Sequence, residues 1–95
     1  MTPIELRDKS AALLDRLADR LPAAELRQLR RYNAVGEWGL LVDELTAVLV
    51  QDKVVVRPVE RDALRELLFA FESPGVHRFI ARRDEVLGQL VVSAP

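Results

Sequence analysis

The sequence has no cysteine, one histidine and only four glycines among its 95 residues. Without cysteine there is no disulfide, no thiolate nucleophile and no sulfur-ligated zinc, so a chain this short must be held by apolar packing or by a partner. The lone histidine, His77, has no ligand-spaced neighbours and no carboxylate placed to orient it. Two residues beyond Gly75, it reads as a surface or satisfied side chain and not as a metal ligand or general base. Glycine is too sparse for a phosphate loop: Gly36 and Gly39 lack the downstream Lys-Ser/Thr of that motif and the preceding strand of a dinucleotide fold. Aromatic residues make up 5%, which predicts an aliphatic core. Neither sign of charge dominates, with 14 basic against 15 acidic residues and a net charge of -1, so no overall field draws in nucleic acid or anionic lipid. No apolar run approaches the roughly 18 residues of a membrane span, and MTPIELRDKS has neither the basic start nor the apolar centre of an export signal. These absences predict a cytoplasmic protein without cofactor, metal or turnover, and without membrane contact.

What is present is 49% hydrophobic and 31% charged residues, a globular composition in a chain long enough for one core, so residues 1–95 are expected to form a single domain. Thr2, Pro3 and Glu5 form a helix start, with Thr at the cap, Pro at the first helical position and Glu closing a capping box. Leu6, Ser10, Leu13, Leu14, Leu17 and Leu21 then recur at helical spacing, while Glu5, Asp8, Asp15 and Asp19 form an acidic stripe; the helix should end near Arg20. Pro22 suits the first turn of a second helix, to about Asn33, with Leu26, Leu29 and Tyr32 inward and Arg27, Arg30 and Arg31 outward. After a turn at Gly36, a third helix over 37–52 places Trp38, Leu41, Val42, Leu45, Val48 and Leu49 on one broad apolar face. Val54 to Val56 are β-branched but short, and an extended connector with its valines inward is expected over a strand, whose sole candidate partner is the tail at 90–92. Pro58 opens a fourth helix with Leu64, Leu67, Leu68 and Phe71 inward and Phe69 elsewhere. Ser73 and Pro74 then cap and start a fifth over about 75–91, carrying Val76, Phe79, Ile80, Val86 or Leu87, and Leu90. The fold class is all-α, a compact bundle of about five helices.

The opposite face of the third helix carries Leu40, Asp43, Glu44, Ala47 and Gln51. An apolar centre with an acidic surround suits a binding patch, where the apolar group supplies affinity and the rim supplies orientation. Asp43 and Glu44 are neighbours, about 100° apart on a helix, so they do not form an acid-base pair across a cleft. A helix-turn-helix reader wants a basic, polar recognition helix, whereas the helix after Gly36 is apolar and acidic, so nucleic acid is disfavoured as a partner.

Gly36-Glu37-Trp38-Gly39-Leu40, followed by Leu45, Leu49, the Val54 to Val56 linker and the proline-led helix from Pro58, resembles the small helical immunity proteins of bacterial polymorphic toxins, specifically the Maf-type immunity family. The similarity covers about a third of the chain. It departs from the family pattern at Leu41, where a small residue is usual, and at Asp43, where Glu is usual. The resemblance implies a stoichiometric inhibitor of a cognate toxin domain, with Glu37, Asp43 and Glu44 as matching polar positions; Trp38, opening a broad apolar face, is expected to serve the core. The expected partner surface is Glu37, Leu40, Asp43, Glu44 and Ala47. Two other readings stand beside it: a helical adaptor or regulatory subunit, open to homodimerisation, that uses Leu40 and Phe69; and a nucleic-acid-binding regulator that uses Arg27, Arg30, Arg31, Arg82 and Arg83.

Overall fold

The computed structural model of the chain describes residues 1–72, 75 and 77–94; the expected cap at Ser73, helix start at Pro74 and apolar position at Val76 lie outside them. The first helix, α1 (Pro3–Leu17), begins as its sequence dictates. The Glu5 amide donates to the Thr2 hydroxyl at 3.2 Å, and the Thr2 amide donates back to the Glu5 carboxylate at 3.4 Å. It ends at Leu17, three residues short of Arg20, and Leu21 still reaches the core from the turn that follows. Helices α2 (Ala23–Ala34) and α3 (Trp38–Gln51) come next, then α4 (Pro58–Leu68), α5 (Arg78–Ala81) and α6 (Arg83–Gln89). The all-α class holds, with six helices among the described residues.

Among the described residues sixteen apolar ones form one buried cluster, including Leu13, Leu14, Leu17, Leu29, Leu41, Val42, Leu45, Leu49, Leu64, Leu67 and Leu68, and the expected core stripes of α1, α3 and α4 all contribute. Helix α1 packs on α2 and α4, while α3 packs on α2, α4, α5 and α6. The most apolar helix is therefore the central one. A radius of gyration of 12.1 Å fits the roughly 13 Å of a single compact unit of this length.

Two expectations are corrected. The segment at Val54 to Val56 is not merely an extended connector: Val55–Val56 form a strand, β1, that pairs in parallel with β2 (Val91–Val92), Val55 opposite Val91 and Val56 opposite Val92. The Ser93 amide donates to the Val56 carbonyl at 2.8 Å. Only Val56 of the three valines is fully buried, and Val55 is 48% exposed, the alternation a strand imposes. The second correction is the last helix, which is broken at Arg82 (φ -112°, ψ 33°) into α5 and α6. Ile80 and Val86 are both buried, yet six positions apart on one straight helix would set them about 120° from each other. The break lets both face the core.

Candidate functional site

The site is built on the turn between α2 and α3. Helix α2 ends in a left-handed cap at Gly36 (φ 75°), where the Gly36 amide donates to the Asn33 carbonyl at 3.3 Å and the Glu37 amide to the Tyr32 carbonyl at 2.9 Å. Asn33 is buried and ties three segments together. Its Nδ2 donates to the Arg7 carbonyl of α1 at 3.2 Å, and its Oδ1 accepts from Trp38 Nε1 at 2.9 Å. The Trp38 ring lies over Gly36, so Trp38 packs and does not project, as the sequence implied.

Along the outer side of α3, the expected partner residues separate. Leu40 is 41% exposed, Ala47 is half-buried, and Gln51 and Glu37 are exposed. These four stay on an open strip. Asp43 does not belong to it: its Oδ1 accepts from the Phe79 amide at 2.7 Å and the Ile80 amide at 3.0 Å, holding the first turn of α5. The expectation of a free Asp43 is thus corrected, because residues at one edge of a helix face meet whichever element packs beside that edge. Gly39 belongs to the same docking; a Cβ there would collide with Nε2 of His77, whose ring carbons would stand 3.0 and 3.1 Å away. The single histidine is therefore a packing residue against α3.

Glu44 marks the opposite edge, facing α2. It accepts from the Tyr32 hydroxyl at 3.2 Å and lies beside Glu25. Burial pushes the Glu25 carboxyl above the ordinary glutamate range, and the charge of Glu44, its hydrogen bond and the more distant Asp52 push in the same direction. Glu25, Tyr32 and Asp52 were missed in the sequence. Glu25 and Tyr32 are seven residues apart, two turns of one helix face, which is the pattern that would have found them. Val35, 70% exposed at the end of α2, adds apolar surface near Glu37 in the chain.

The rival surfaces come apart. On α1, Asp15 pairs with Arg30 at 3.0 Å and Glu5 is held in the capping box, and just past the helix Asp19 pairs with Arg20 at 3.4 Å, so the acidic stripe is largely engaged. The arginines assigned to nucleic acid do not form one cluster: Arg30 is paired to α1, Arg82 binds Glu85 at 2.6 Å, and Arg83 donates to the Phe71 carbonyl at 2.7 Å. A depression of about 430 Å³ at residues 81–85 is flanked by that same Arg82–Glu85 pair. Among the described residues no three His, Asp or Glu side chains gather as metal ligands, and no helix is long and apolar enough to cross a membrane. No family model, curated protein or solved structure matches the chain.

Proposed function

We propose that this protein is a cytoplasmic immunity protein, without catalytic activity, that neutralises a cognate bacterial toxin domain by stoichiometric association through the outer strip of α3. The observation that carries this reading is Leu40 and Ala47 on the outer side of α3, with Glu37 and the Glu25–Glu44 pair beside them. An apolar centre on regular structure loses little entropy on binding, and acidic groups around it favour a basic partner. Burial and the neighbouring Glu44 charge disfavour the ionised form of Glu25 in the free protein, and an incoming Lys or Arg would favour it. The resemblance around Gly36 to Leu40 points to the same end of the same helix.

The test is co-expression with the toxin domain encoded by the neighbouring reading frame, scoring survival alongside the melting temperature. Leu40→Asp and the pair Glu37→Lys with Glu44→Lys are expected to melt within a few degrees of the parent yet bind the toxin at least about tenfold more weakly and lose protection. Asp43 is unsuitable for this test, since its substitution frees α5. Variants that fold normally and still protect fully would sink the assignment of this face.

A further inference from the structure

A second surface, independent of the α3 strip, runs along α4. Arg57, Arg61, Arg65 and Phe69 follow at four-residue spacing, and all four are exposed. Phe69 is 42% exposed at the C-terminal end of the helix. Its ring is nevertheless held. The Arg83 guanidinium carbon lies 4.6 Å from the ring centroid and that of Arg65 5.7 Å away. Arg83 is itself fixed by donating to the Leu68 carbonyl at 3.4 Å and the Phe71 carbonyl at 2.7 Å, the carbonyls freed where α4 ends. Arg61 pairs with Asp62 at 3.2 Å, but among the described residues neither Arg57, Arg65 nor Arg83 has a carboxylate partner. An aromatic side chain fixed in place among unneutralised guanidiniums is the kind of group that anchors an interface.

We propose that this face docks an acidic amphipathic segment of a partner protein, with its carboxylates on Arg65 and Arg83 and an apolar side chain on Phe69. Guanidinium forks match carboxylates in pairs, and the ring gives the segment an apolar contact that a simple ion pair lacks. A nucleic-acid strand fits less well. Asp62 and Glu66 interrupt the arginines along the helix, and a segment with spaced carboxylates can step past them where a continuous phosphate backbone cannot.

Fluorescence anisotropy of the intact protein with a labelled peptide of alternating Glu and Leu tests this, against the matching Lys-Leu and Glu-Ser peptides and an oligothymidylate at the same salt. The Glu-Leu peptide is expected to bind most tightly, Arg65→Glu and Phe69→Ala each to weaken it about tenfold, and Leu40→Asp to leave it unchanged. Should Phe69→Ala lower the melting temperature, Arg65→Glu decides alone, since Arg65 is exposed. A Glu-Leu peptide that binds no better than its Lys-Leu or Glu-Ser counterpart, tighter binding of the oligothymidylate, or an unchanged affinity in Arg65→Glu would overturn the proposal. Because Leu40→Asp tests the α3 strip separately, loss of toxin protection in that variant leaves this result untouched.

Discussion

Lys53 sits at φ 51°, left-handed, just past the end of α3, and closes that helix as Gly36 closes α2: its amide donates to the Val50 carbonyl at 3.4 Å and the Val54 amide to the Leu49 carbonyl at 3.1 Å. A side chain in that region costs roughly 1 kcal/mol that glycine avoids. Lys53→Gly is therefore expected to raise stability by up to about 1 kcal/mol, read as a higher denaturant midpoint at unchanged slope. A lower midpoint would mean that the Lys53 side chain holds something the backbone does not reveal. Gly39 has the opposite sensitivity. Its Cβ would enter the His77 ring, so Gly39→Ala should destabilise by about 1–3 kcal/mol, and His77→Ala in the same chain should restore most of the loss. Two losses that simply add would show that the two residues do not meet.

Between elements, a bidentate polar tie joins Arg20 and Glu60. Glu60 is 2% exposed; its two carboxylate oxygens accept from Arg20 at 2.7 and 2.6 Å, and one also accepts from the Arg57 amide at 2.7 Å. Arg20 donates further to the carbonyls of Arg16 at 2.8 Å and Val55 at 2.9 Å, joining the end of α1, the strand β1 and the start of α4. The Arg20 guanidinium holds the Glu60 carboxyl below the ordinary glutamate range against the opposing effect of burial, with the Arg57 amide assisting. A carboxyl depressed in the fold takes its proton more readily once unfolded. Its contribution is thus complete above the unfolded pKa and is lost as pH falls through the folded value. Stability is expected to drop with acid below about pH 4.5, and Glu60→Gln to flatten that drop while costing about 3 kcal/mol at neutral pH. Denaturation midpoints across pH check both, and an acid slope identical in the variant would assign the loss to other carboxylates.

For the whole molecule, the parallel pairing of β1 with β2 returns the C-terminal segment to the middle of the chain. Leu90, 9% exposed, delivers that return into the core just before β2. Leu90→Ala is expected to cost about 2–3 kcal/mol and to speed amide exchange at Ser93, whose amide is bonded to Val56. Unchanged exchange at Ser93 would mean that the strand pair holds without its apolar anchor. The net charge of -1 averages over a surface where carboxyl groups flank Leu40 and guanidiniums flank Phe69, so it describes neither region.

The local rules of the chain determined a good deal unaided. The capping box at Thr2 and Glu5, the glycine turn at Gly36 and the apolar stripes of α1, α3 and α4 depend on residues within a turn or two of each other, so periodicity and cap chemistry suffice to place them. The all-α class follows from those stripes. Only the tertiary structure decided which side chains on a polar face remain open. Leu40, Asp43 and Glu44 share one sequence face, yet α5 takes Asp43, α2 borders Glu44 and only Leu40 is left exposed between them. The strand at Val55 and Val56 and the burial of Glu60 depend likewise on partners far along the chain, at Val91 and Arg20, and the break at Arg82 on the core that Ile80 and Val86 both enter. A helix's own periodicity tells which residues point the same way, but not which neighbour arrives there; that is settled by packing between segments, where the entropy of bringing distant residues together is offset by the core they close.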